Sequence, residues 1–116
     1  MPFGGGKDSI VTAEKLKNTN QNFELIAINP QPLQLHVAQK IGKPLIAITR
    51  KVDATLLQQS KEKSVYTGHV PMTAIYTCTA LLVAAAKVYG QVMMSNEQSA
   101  NEGNVEYLGS MINHQW

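Results

Sequence analysis

Six consecutive residues near the start of the chain, Gly4-Gly5-Gly6-Lys7-Asp8-Ser9, have the types and spacing to bind an anion. Glycines allow a sharp backbone turn and let ligand atoms approach the peptide N–H groups. A helical pattern follows at once, and the N–H groups and dipole at a helix N-terminus favour negative charge. Lys7 adds a mobile cation. Ser9 either donates its hydroxyl to a phosphate oxygen or caps the helix. Asp8 would repel a phosphate unless a metal lay between them, which points to Mg²⁺ at Asp8, a hard cation suited to carboxylate and phosphate oxygens. Two common motifs are excluded. A G-x-x-x-x-G-K-[ST] loop fails because Asp8 follows Lys7, and because Met1 stands where the first glycine belongs. G-x-G-x-x-G starting at Gly4 fails at Ser9. The alternative is a flexible glycine-bearing start.

Other candidates fall beside expected element ends. Asn96, Glu97 and Glu102 follow the apolar stretch QVMMS (91–95). Ligands of open α/β sheets bind beyond the carboxyl ends of strands, so Glu97 is a candidate Mg²⁺ ligand or acid–base group; the alternative is a solvated polar loop. His69 precedes a helix opening near Pro71 and either touches phosphate or substrate or is a hydrogen-bonded turn residue. Thr73, in the first turn, either donates to an anion or caps. Arg50 is the one arginine; it follows an expected strand and is either a phosphate or carboxylate clamp or an ion-pair partner of Asp53. Cys78 reads as a small buried side chain rather than a nucleophile, and Met93 and Met94 as strand or core residues.

The elements that must position these groups follow from periodicity. Ile10, Ala13 and Leu16 are near helical spacing over residues 10–17. FELIAIN (23–29) and KPLIAIT (43–49) are compact apolar runs bounded by turn residues, as buried strands are. Between them, Leu33, Val37 and Ile41 recur every four residues and Gly42 supplies a stop. A short irregular helix is expected within 50–64. A long one is expected from Pro71 to about Tyr89, closed by Gly90 and followed by a strand at 91–95. The last segment, 105–116, is ambiguous. Alternating strands and helices predict a single α/β domain with a parallel sheet covered on both faces.

Composition excludes several classes. A net charge of +2 with scattered lysines argues against nucleic acid as a partner. The most apolar stretch, residues 74–86, is shorter than the ~20 residues of a membrane span. One cysteine cannot form an internal disulfide, and no Cys/His group has zinc spacing. No signal peptide is visible. A cytoplasmic protein is the expectation.

GGGKDS resembles the S-G-G-x-D-S signature of the PP-loop ATP pyrophosphatases, with Gly4 in place of the signature's serine and Gly5, Gly6, Asp8 and Ser9 matching. TGHVPMTAI (67–75), SNEQSANEGNVEYLG (95–109) and the following NHQ (113–115) resemble segments of the ATP-dependent glutamate epimerases of peptidoglycan synthesis. The resemblance implies a three-layer α/β/α fold of the adenine-nucleotide alpha-hydrolase type, with ATP and Mg²⁺ as cofactors. It implies a reaction that inverts the terminal L-glutamate of UDP-N-acetylmuramoyl-L-alanyl-L-glutamate while ATP is cleaved to AMP and pyrophosphate. An acyl adenylate removes the carboxylate's charge, so that the α-proton can be lost and regained by acid–base catalysis. Gly4–Ser9, Arg50 and Asn96 would then hold nucleotide, while Glu97 and His69 would be catalytic. The alternatives are another PP-loop enzyme (an amidotransferase, sulfurtransferase or reductase relative) and a non-catalytic nucleotide-binding module like the universal stress proteins.

One feature conflicts with an intact domain of this kind. A phosphate loop in this fold follows a central strand, strands average five to six residues, and only Met1-Pro2-Phe3 stand before Gly4. The expectation is a fragment or truncated gene product whose first strand is missing or reduced to a stub. Its exposed sheet edge would favour self-association, and the isolated chain would have little epimerase activity.

Overall fold

The computed structural model describes residues 1–62, 64–65, 71–96, 102–103 and 105–112. They form, in order, α1 (Lys7–Asn18), β1 (Leu25–Ile28), α2 (Pro32–Ile41), β2 (Leu45–Ile48), α3 (Ala54–Gln59), α4 (Met72–Ala86), β3 (Val105–Tyr107) and β4 (Ser110–Ile112).

The two LIAI segments pair in parallel, Leu25 opposite Leu45 through Ile28 opposite Ile48. All four β1 residues are buried. A β-strand sends successive side chains to opposite faces, and both faces of β1 are covered. On one, Leu25 packs in a cluster with Ala13 and Leu16 of α1, Ala38 and Ile41 of α2, and the flanking Phe3 and Phe23. On the other, Ile26 and Ile46 share a cavity with Ala80 and Ala84 of α4. The architecture is therefore α/β around a two-stranded parallel sheet.

Residues 1–3 run beside β1 on the edge away from β2. Ile26 N donates to Met1 O at 2.9 Å and Phe3 N donates to Ile26 O at 2.8 Å, forming one parallel bridge at Pro2. The missing N–H of Pro2 costs nothing here. In a parallel pair a residue bonds through both its neighbours on the same strand, so Met1 and Phe3 serve Ile26 while Pro2 points away. Phe3 is buried in the core.

Local signals set the helix limits. Asp8 in the first turn and Lys15 and Lys17 in the last complement the α1 dipole. Pro32 opens α2, and Gly42 closes it in the left-handed region at φ 74°. Asp53 caps α3, accepting from Thr55 N at 2.7 Å, and that bond holds its carboxyl below the usual carboxylate range.

Three expectations are corrected. The strand expected at 91–95 is irregular backbone: Met93 is exposed, and Met94 Sδ meets the Thr77 hydroxyl at 3.9 Å. The long helix stops at Ala86, before Tyr89. Tyr89 N donates to Ala84 O and Val88 N to Ala85 O, the Schellman pattern of a helix end, with Val88 itself left-handed at φ 60°. Cys78 is exposed rather than buried. The ambiguous final segment contains an antiparallel hairpin, with Val105 opposite Ile112 and Tyr107 opposite Ser110, turned through Leu108 and Gly109 at positive φ.

Candidate functional site

Because residues 1–3, β1 and β2 are parallel, their carboxyl ends share one edge. The chain leaves Phe3 into Gly4, Ile28 into Asn29, and Ile48 toward Arg50. The structure thus brings the glycine loop and Arg50 to the same edge, two strand spacings (~10 Å) apart.

The loop is shaped from α2. Gln34 donates its side-chain amide to Phe3 O at 3.3 Å and to Gly4 O at 3.1 Å, while its Oε1 accepts from Gln31 N at 2.7 Å. Gly5 lies in the left-handed region at φ 74°, and a Cβ there would stand 2.9 Å from Gln34 Cγ. Gly5 must therefore be glycine for backbone and space alike. A Cβ on Gly4 or Gly6 would meet nothing within 4 Å, so the space over these two residues is open to a ligand. Gly6 is the N-cap of α1, and no side chain caps the first turn, whose N–H groups have no acceptor within the helix. The Lys7 ammonium stands 3.9 Å from Asp8 Oδ1, both side chains substantially exposed. Ser9 is buried, and its hydroxyl donates to Gly6 O at 2.8 Å, closing the turn from within.

Arg50 is held by its backbone. Asn29 Nδ2 donates to Arg50 O, and Arg50 N donates to Asn29 Oδ1, each at 2.8 Å. Its guanidinium meets Met72 Sδ at 3.3 Å. Asp53 caps α3 instead of pairing with it. Asn96 is exposed at the end of the irregular segment, and Thr73 is exposed in the first turn of α4. His69 and Glu97 lie outside the described residues. Among the described residues no group of three or more His, Cys, Asp or Glu is placed to hold a metal ion, and Asp8 stands alone as a carboxylate in the loop. No helix among them is long and apolar enough to cross a membrane.

Two residues that shape this edge escaped the sequence reading. Gln34 carried one signal: Gln31-x-x-Gln34 around Pro32 has the spacing of a capping box. Asn29 carried another, an Asn at a strand end, where left-handed backbone is tolerated; its φ is 48°.

The opposite edge is different in kind. A cavity of about 430 Å³ opens at the amino ends of the strands, with Met1, Glu24, Ile26, Ala84 and Tyr89 among its lining. Lys87 donates to Glu24 at 2.8 Å. That bond lowers the Glu24 carboxyl and raises the Lys87 ammonium; partial burial and then the Glu24 charge push the Tyr89 phenol up. This pair ties the end of α4 to the entry of β1.

Comparison with known proteins matches the whole chain. An epimerase of Micromonospora sp. named for UDP-N-acetyl-alpha-D-muramoyl-L-alanyl-L-glutamate is 36% identical over 113 residues, which are 97% of this chain and 25% of the relative. The enzyme of the same name from Salinispora tropica is also 36% identical, over 97% of this chain and 24% of its own length. That from Xanthomonas oryzae pv. oryzae is 32% identical over all 116 residues and 26% of its own length. The chain thus spans about a quarter of the length of the curated relatives it matches. No solved structure matches it. Residues 1–116 match the family described as the MurL N-terminal domain, and it is to that family that the chain belongs.

Proposed function

We propose that this chain is the ATP-binding part of an adenylate-forming epimerase of the PP-loop type, acting on the terminal L-glutamate of UDP-N-acetylmuramoyl-L-alanyl-L-glutamate. The observation that carries the reading is the run from the Phe3 edge through open Gly4 and Gly6 into the uncapped first turn of α1. The relatives' names supply the substrate.

In this reading the chain's residues do the holding. The backbone N–H groups after Gly6 meet the leaving pyrophosphate of ATP, donors aimed where charge develops. Lys7 adds positive charge, and Gln34 and Ser9 keep the loop's carbonyls turned inward, away from the anion. Mg²⁺ at Asp8 would offset the charge of the phosphates. Arg50, across the same edge, is placed for a second anionic group. Glu97 and His69 remain the acid–base candidates for moving the α-proton.

Titrating the 116-residue chain with MgATP while following the Gly4–Ser9 amides by NMR tests this. Those amides should shift first. Asp8→Ala should weaken magnesium-dependent binding at least tenfold while lowering stability by no more than about 1 kcal/mol, the contribution of a first-turn carboxylate to the helix dipole. Shifts confined to the cavity at the opposite edge would overturn the reading. In an assembled enzyme the nucleotide product should be AMP; ADP would exclude pyrophosphate cleavage.

A further inference from the structure

α4 has fifteen residues and no charged side chain. A helix without a charged face belongs in a core rather than in water, yet only Ala80 and Ala84 of α4 are buried. Leu81 and Leu82, on its outer side, are 54% and 73% exposed. The β3–β4 hairpin is exposed at every residue, although a lone two-stranded hairpin is marginal without something to pack on. Beyond residue 53, Ala80 and Ala84 are the sole buried residues among those described. The excess surface is large. The accessible area is 8735 Å², against about 6,200 Å² for a compact monomer of this size. The radius of gyration is 16.9 Å, against about 13 Å.

We propose that the outer face of α4, centred on Leu81 and Leu82, is the docking surface for the polypeptide that makes up the other three-quarters or so of the relatives' length. That occupant is favoured over others by size and chemistry. The family to which this chain belongs is described as an N-terminal domain, so its relatives carry further chain that must pack against something. The uncharged face of α4 selects an apolar partner surface, as interface cores do.

Amide exchange in the complete Micromonospora relative decides it. The helix matching 72–86 should exchange at least tenfold more slowly there than in this chain alone; equal rates overturn the proposal. In this chain alone, exchange of α4 should not depend on concentration. Protection that grows with concentration would make a second copy the occupant and overturn it too. Finally, this chain co-expressed with the remaining part of that relative should retain it, and Leu81→Glu with Leu82→Glu should abolish retention while leaving β1 exchange unchanged. Absent retention, or retention indifferent to the two substitutions, overturns the assignment. Failure of MgATP to bind the glycine loop would leave all three results standing, since neither leucine belongs to that loop.

Discussion

Gly5 shows how one residue is constrained from two directions. Its φ of 74° is open to glycine at no cost, and Gln34 occupies the place of a Cβ. Gly5→Ala should therefore lower stability by about 1–2 kcal/mol, the cost of left-handed backbone for a residue with a Cβ, read as a reduced urea midpoint, and should disorder the loop. Gly4 and Gly6 have no such role in the chain's own packing, because nothing lies within 4 Å of a Cβ built on either. The sequence alone marks all three as a candidate anion loop; which of them the fold itself requires is not legible there. That depends on Gln34, about thirty residues away, reaching the Phe3 and Gly4 carbonyls.

Among the elements, α4 is held at its end by two features that make opposite predictions. Val88 sits where the Schellman pattern favours glycine, with a β-branched side chain at φ 60°. Val88→Gly should raise stability by about 0.5–1 kcal/mol, the relieved strain less the added chain entropy, seen as a higher thermal midpoint. The Lys87–Glu24 pair acts the other way. It lowers Glu24, so its contribution is complete above the ordinary glutamate value of 4.5 and fades as pH falls through the lowered one. It raises Lys87, so that contribution is complete below the ordinary lysine value of 10.5 and fades as pH rises through the raised one. The pair's own contribution, read as the difference in urea midpoint between the chain and Glu24→Gln, should be constant between these limits and shrink outside them. α1, α2 and both LIAI strands were legible because period, caps and breakers agree there. The 91–95 segment was misread. Short apolar runs look alike in strands and irregular backbone, and among the described residues no strand pairs with it.

Across the whole molecule, packing is uneven. Leu25 is fully buried between α1 and α2, while Leu82 is mostly in solvent. Leu25→Ala should cost about 2–5 kcal/mol, enough to unfold a domain this small, whereas Leu82→Ala should change the unfolding free energy from urea titration by less than about 0.5 kcal/mol. Equal effects would show that α4 is covered in solution. The sequence by itself determined the local pieces: a glycine loop ahead of a helix, two parallel strands with their caps, and the resemblance to the epimerases carried by the two later stretches; of the two strands expected to be buried only β1 is, and β2 is half-buried with Ala47 exposed. The local pieces are decided by neighbours a few residues apart, where backbone geometry and hydrophobic period act. Only the tertiary structure decided that Met1–Phe3 pair with β1, that Gln34 and Asn29 shape the carboxyl edge, and that α4 keeps its apolar outer face open. Each of those depends on contacts between residues distant in the chain, which periodicity and composition do not encode.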